Sequence, residues 1–127
     1  MRIFMSRRFA RFARKERIGE GKLLKAVKEI EAGQVDADYG GGVIKQRIAR
    51  PNAGKSGGYR SIILFRQGGH LFFVYGFAKS ERENIGEAEL RDFKELAKNL
   101  FAATDGQLKA LVDAGSFEEV LYEQAED

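Results

Sequence analysis

Two runs of strand-forming residues, separated by a pair of glycines, constrain this chain more than any other feature. "YRSIILFRQ" (59–67) and "HLFFVYGFA" (70–78) are dense in Ile, Leu, Phe, Val and Tyr, side chains that suit a pleated, half-buried surface. Gly68-Gly69 between them supplies the backbone freedom that a tight hairpin turn demands. So many large apolar side chains in succession cannot all face water. The pair therefore predicts central antiparallel strands covered on at least one face.

The flanking segments supply the cover. "RIF" near the start reads as a short strand. From Ser6 onward Phe9, Phe12 and Ala13 recur at helical spacing, with Arg7, Arg8, Arg11 and Arg14 around the remaining faces. Gly19 and Gly21 interrupt that helix. A second follows, with Leu23, Val27 and Ile30 on one face, Leu24 beside them, and Gly33 closing its C-terminal end. The two predict a helical hairpin. "DADYGGGVIKQRIAR" passes from a glycine-rich turn into an alternating strand, with Lys45, Arg47 and Ala49 opposite Gln46 and Ile48, ended by Pro51. Asn84 followed by Glu87 resembles a capping box for a helix striped by Leu90, Phe93, Ala97, Leu100 and Phe101. A shorter helix is predicted around Leu108, Leu111 and Val112. The tail "SFEEVLYEQAED" keeps helical spacing at Phe117, Val120 and Leu121 before it turns acidic.

At 127 residues the chain can bury one core. The expectation is an α+β fold: a small single domain, with an N-terminal helical hairpin and a C-terminal helix packed on an antiparallel sheet. Residues 1–102 form its body, and 103–127 a helical, acidic extension of the same domain.

Charge narrows the function. Residues 1–80 carry 17 Lys and Arg against 6 Asp and Glu, and residues 81–127 carry 5 against 13. Between Tyr39 and Ser80 there are seven basic residues and no acidic one, as a polyanion-binding surface requires, although a solvated basic face has the same composition. With no cysteine and one histidine, His70, the chain offers no disulfide, no thiol nucleophile and no zinc cage. The basic start "MRIFMSRRFARFARKER" lacks the apolar stretch of a secretory signal, and no apolar run is long enough to span a membrane. A cytoplasmic protein is expected, without metal or cofactor.

"RPNAGKSGGYR" (50–60) holds the only proline and a Gly-Lys-Ser. A nucleotide-cradling loop needs a glycine at position 49 and a helix afterwards; here Ala49 stands before it and a strand follows. The segment is instead a basic loop between two strands. Arg50 and Lys55 lie in the loop, Lys45 and Arg47 precede it, and Tyr59 and Arg60 follow. Cations interleaved with an aromatic suit single-stranded RNA. The same residues also suit an edge strand guarded against aggregation, with Tyr59 in the core.

The helical hairpin, "KQR", the basic loop, "GGYR", the hydrophobic hairpin, "YGFAKSERENI" and a last helix together resemble the RelE-type toxins of bacterial toxin–antitoxin pairs, and within them the HigB-like branch most. The resemblance covers residues 1–102. It implies a RelE-like fold and a ribosome-dependent mRNA endoribonuclease (an mRNA interferase) that enters the ribosomal A site, cuts the codon there and inhibits translation. A cognate antitoxin protein silences it. By position, Lys45 and Arg47 match the family's paired cations, Arg60 the arginine of G-Y-R, and Arg82 the arginine after the hairpin. Where several members carry a tyrosine near the start of the last helix, this chain reads Ile85-Gly86-Glu87. Either Tyr59 or Tyr75 then takes over part of that role, or the activity is weaker or different.

Cleavage of RNA by its own 2′-hydroxyl needs a base, cations on the crowded phosphorane and an acid for the leaving oxygen. Without a histidine pair, a lysine among other cations is a usable base. Lys45 is the candidate base, Arg60 the phosphate clamp through its planar fork, and Arg82 a group near the leaving oxygen. Arg50, Lys55, Tyr59 and Lys79 are expected RNA contacts. Two other readings share the pattern: a ParE-type gyrase poison, and a non-catalytic RNA-binding module or degenerate toxin.

Overall fold

The computed structural model describes residues 1–50 and 57–121. Its elements, in order, are β1 (Ile3–Ser6), α1 (Arg7–Lys15), α2 (Glu20–Glu31), β2 (Ala37–Asp38), β3 (Val43–Ile48), β4 (Tyr59–Phe65), β5 (Leu71–Ala78), α3 (Glu87–Phe101), α4 (Asp105–Asp113) and β6 (Phe117–Glu119). The strands form one six-stranded sheet in the order β2-β3-β4-β5-β1-β6.

The glycine-linked hairpin is the centre of that sheet. Phe65 pairs with Leu71, so residues 66–70 connect the strands and the turn is longer than two residues. Gly68 takes φ 81, and the Gly69 N–H donates to the Arg66 carbonyl at 3.0 Å. Every other pairing is antiparallel, but β1 lies parallel to β5, Ile3 opposite Leu71. The expected antiparallel sheet is thus antiparallel in all but this one pairing. The Ser6 hydroxyl, accepting from the Phe9 N–H at 3.1 Å, turns β1 straight into α1.

Both faces of the sheet are covered. On one, α1 and α2 lay Phe9, Ala13, Leu23, Val27 and Ile30 over Ile44, Ile48, Tyr59, Ile63 and Phe73. Gly76 makes room there for Phe12, because a Cβ on it would lie 2.4 Å from the Phe12 ring. On the other face, α3 and α4 bring Phe93, Ala97, Leu100 and Leu108 against Val43, Ile62, Leu64, Phe72, Val74 and Phe77.

Two local expectations are corrected. The helix α3 starts at Glu87 with Gly86 as its N-cap, and the cap is one-sided: the Glu89 carboxylate accepts from the Gly86 N–H at 2.8 Å. Asn84, three residues before the helix, instead accepts from the Ile85 N–H at 2.9 Å. Phe117–Glu119 is a strand, not a helix. β1 left alone would expose its outer edge, and Phe117 to Glu119 pair along it while Phe117 joins the core. Pro51, Lys55 and the acidic residues 122–127 lie outside the described residues. No helix among the described residues is long and apolar enough to cross a membrane.

Candidate functional site

Strand parity and register build a patch on the α3 side of the sheet. Val43, Lys45 and Arg47 share that face of β3, since Val43 lies in the α3-side core while Ile44 and Ile48 lie in the other. Across β4, Lys45 stands opposite Ile62 and Arg47 opposite Arg60. Across β5, Ile62 stands opposite Tyr75 and Arg60 opposite Phe77. Two adjoining rows result, Lys45–Ile62–Tyr75 and Arg47–Arg60–Phe77. Neighbouring strands run about 5 Å apart and alternate residues about 7 Å apart, so the block measures about 10 Å by 7 Å.

A bulge places the tyrosine. Ile62 pairs with Tyr75 but Ile63 pairs with Phe73, leaving Val74 extra. Val74 and Tyr75 therefore both turn towards α3, as a bulge allows and regular alternation forbids. Tyr75 is half-buried, with the Arg8 guanidinium 4.2 Å from its ring centre. Arg82 donates to its hydroxyl at 3.0 Å.

Arg82 itself is held on three sides. It donates to Glu89 at 2.7 and 3.2 Å and to the Asn84 carbonyl at 2.9 Å, and its charge lies 5.6 Å from the Phe77 ring. The paired hydrogen bonds from Arg82, and then the one from the Gly86 N–H, hold the Glu89 carboxyl down at about 2. The same contacts with Glu89 and Tyr75 push the Arg82 guanidinium up. Tyr39 donates to Asn84 and so ties the segment before α3 to the β2 edge.

Arg60 is only 6 % exposed. Its Nη1 donates to the Tyr59 carbonyl at 3.2 Å, and its Nε lies 3.6 Å from Asp36, which also stands 3.8 Å from Arg47. Among the described residues, no cluster of three His, Asp or Glu side chains could hold a metal.

Of the residues expected from sequence, Lys45, Arg47 and Arg60 fall into one block, and Arg82 borders it through Tyr75 and Phe77. Tyr59 does not join them. It is 4 % exposed, on the helical-hairpin face, and its hydroxyl donates to Glu16 at 2.9 Å. Burial and then that bond raise its pKa, so it is a core residue and no stacking platform. Arg50 goes with it, 5.4 Å over the same ring. Lys79 lies just past β5, its N–H donating to the Gly58 carbonyl at 3.2 Å. His70 is half-buried, and its Nδ1 accepts from the Arg2 N–H at 3.2 Å.

Sequence reading missed Arg8, Asp36 and Glu89. Arg8 looked like one of several helix arginines, Asp36 like part of a turn, and nothing local links Glu89 to Arg82.

Residues 1–120 match the family model described as the RelE toxin of the RelE/RelB toxin–antitoxin system. That span reaches past residue 102, where the motif resemblance stopped, and takes in β6. No curated protein matches the chain.

Proposed function

Because the chain belongs to the RelE toxin family of toxin–antitoxin systems, we propose that it is a toxin acting as a ribosome-dependent mRNA endoribonuclease, silenced by its cognate antitoxin. The observation that carries this reading is the two-row block in which Lys45, Arg47 and Arg60 adjoin Tyr75. Like charges directly opposed across strands destabilise a sheet. Arg47 opposite Arg60 is such a pair, and an anion is the ligand that would relieve it.

The chemistry follows from what each group can do. Lys45 takes the proton of the 2′-hydroxyl, whose oxygen bonds to phosphorus. Arg47 and Arg60 stabilise the charge that collects on the non-bridging oxygens. The bond from phosphorus to the 5′-oxygen breaks, leaving a 2′,3′-cyclic phosphate. Tyr75 accepts from Arg82 through its oxygen, so its own proton is available to the leaving oxygen, and Arg82 then faces the phenolate. Lys45 and Tyr75 recover their starting states by exchange with water.

None of these groups is a strong base, so the rate depends on how well the strand is held. Correct positioning contributes as much as about 7–11 kcal/mol. A ribosome that bends the mRNA into the patch would supply it, so free RNA is expected to stay uncut.

Primer extension on a reporter mRNA after a short pulse of expression tests this reading, with Lys45→Ala alongside. Lys45 is a half-exposed residue, so its loss should leave the fold intact. Cuts that require translation and vanish in the variant are expected. Growth arrest with intact mRNA would overturn the reading in favour of a gyrase poison. Absence of both arrest and cuts would leave a binding module.

A further inference from the structure

The Arg47–Arg60 pair has an occupant. The Tyr39 N–H donates to the Val43 carbonyl across β2 and β3 at 2.9 Å. Odd-numbered residues of β3 therefore point their backbone groups towards β2 and meet β4 at non-hydrogen-bonded sites. There the facing Cα atoms are closest, about 4.5 Å apart. Two guanidiniums thus start from adjacent points, and one of them is nearly buried.

Asp36 lies between them and offers one carboxylate oxygen to each, Oδ1 towards Arg47 at 3.8 Å and Oδ2 towards Arg60 at 3.6 Å. Both distances exceed those of a good hydrogen bond, so among the described residues charge holds this carboxylate and no directional bond does. Its backbone is anchored separately, the Asp36 N–H donating to Gln46 Oε1 at 3.1 Å. The side chain is 24 % accessible and so touches solvent. Two oxygens of one anion, each facing a guanidinium, are also what a phosphodiester presents through its non-bridging oxygens.

We propose that Asp36 is a built-in competitor for the phosphate seat made by Arg47 and Arg60. It neutralises the opposed arginines while the seat is empty and gives way when a nucleic-acid phosphate arrives. The proposal rests on the reading that this face receives RNA. Exchanging a carboxylate for a phosphate of similar charge yields little net affinity at the seat. A lone phosphate then gains too little to enter, whereas a strand also held at Lys45 and Tyr75 does. Asp36 is on this account a specificity-determining residue and does not itself touch the reacting atoms.

The test compares wild type with Asp36→Asn, which keeps the shape and removes the charge. Inorganic pyrophosphate is one probe, followed by thermal melting. A 2′-O-methyl RNA oligonucleotide, which cannot be cleaved, is the other, followed by fluorescence anisotropy over a range of salt. Without anion the variant should melt below wild type. Pyrophosphate should restore it by several degrees and leave wild type unmoved. RNA should bind the variant about tenfold more tightly, with a salt slope steeper by about 0.7, the value for one further phosphate neutralised on a single strand. The double variant Asp36→Asn with Arg47→Gln should melt like wild type and ignore pyrophosphate.

Equal responses of wild type and Asp36→Asn to pyrophosphate overturn the proposal. If Asp36→Asn folds only in pyrophosphate the proposal stands, and if pyrophosphate cannot fold it the proposal falls. The RNA arm separates the two claims. Should neither protein bind free RNA while pyrophosphate stabilises only the variant, the guarded seat holds, and absence of translation-dependent cuts in the primer-extension assay is then what makes the RNA reading fail. Should both bind RNA equally well, the RNA reading holds and the guard is overturned.

Discussion

Replacing Glu89 by Gln removes the charge that holds Arg82, and the structure sets both the size and the pH window of the effect. Glu89 accepts two hydrogen bonds from Arg82 and one from the Gly86 N–H. Its carboxyl is lowered from 4.5 to about 2, which without screening corresponds to about 3.4 kcal/mol. Both side chains are about a third exposed, and water screens such a pair strongly, leaving about 1–1.5 kcal/mol. A group whose pKa is lower in the folded state stabilises the fold above its unfolded pKa and loses that contribution as pH falls. The wild type should therefore exceed Glu89→Gln by about 1–1.5 kcal/mol at pH 7, and roughly half or more of the difference should be gone by about pH 3. Urea denaturation of both proteins at several pH values between 7 and 2.5 measures it. Glu119, lowered chiefly by its hydrogen bonds from Arg2, titrates in the same range but is common to both proteins and cancels. A difference that stays constant down to pH 2.5, or is absent at pH 7, would refute the reasoning.

Gly42→Ala should destabilise by about 2–4 kcal/mol in a urea titration, from left-handed backbone strain added to overpacking. Gly42 has φ 84, and a Cβ there would lie 2.4 Å from the Phe101 ring. Phe117→Ala should cost about 3 kcal/mol by the same measurement, because Phe117 stacks edge-on against Phe72 and closes the α3-side core; a loss below about 1 kcal/mol would mean that β6 is not part of the fold. The two tyrosines should separate cleanly in the primer-extension assay. Tyr75→Phe should lower cleavage at least about a hundredfold, whereas Tyr59→Phe, which loses the bond to Glu16, should cost about 1 kcal/mol of stability and leave cleavage intact.

Much of this protein is legible in one dimension because it depends on local periodicity. A two-residue repeat put Lys45 and Arg47 on one face of a strand, and a 3.6-residue repeat marked the buried stripes of α1, α2 and α3. Apolar density marked β4 and β5 as the centre of the sheet. The resemblance carried by "KQR", "GGYR" and "YGFAKSERENI" pointed to the family that the match over residues 1–120 establishes. Phe117–Glu119 shows where this ends: three residues with helical spacing became a strand because the edge of β1 lay open to them. Tyr59 shows it again, since two adjacent residues of one strand, Tyr59 and Arg60, went to opposite faces and only Arg60 reached the patch.

Apart from β2 and β6, the sequence by itself determined the types of element and their order, and it supplied the cations available for an anion-binding face. Tertiary structure alone decided that β1 runs parallel to β5, that an extra Val74 turns Tyr75 towards Arg82, and that Asp36 and Glu89 each hold arginines of the patch. The reason is one of range. Helix and strand periods arise from neighbours a few residues apart, whereas pairing register, a bulge and the partner of a charge follow from which distant surfaces pack against each other once the core has closed.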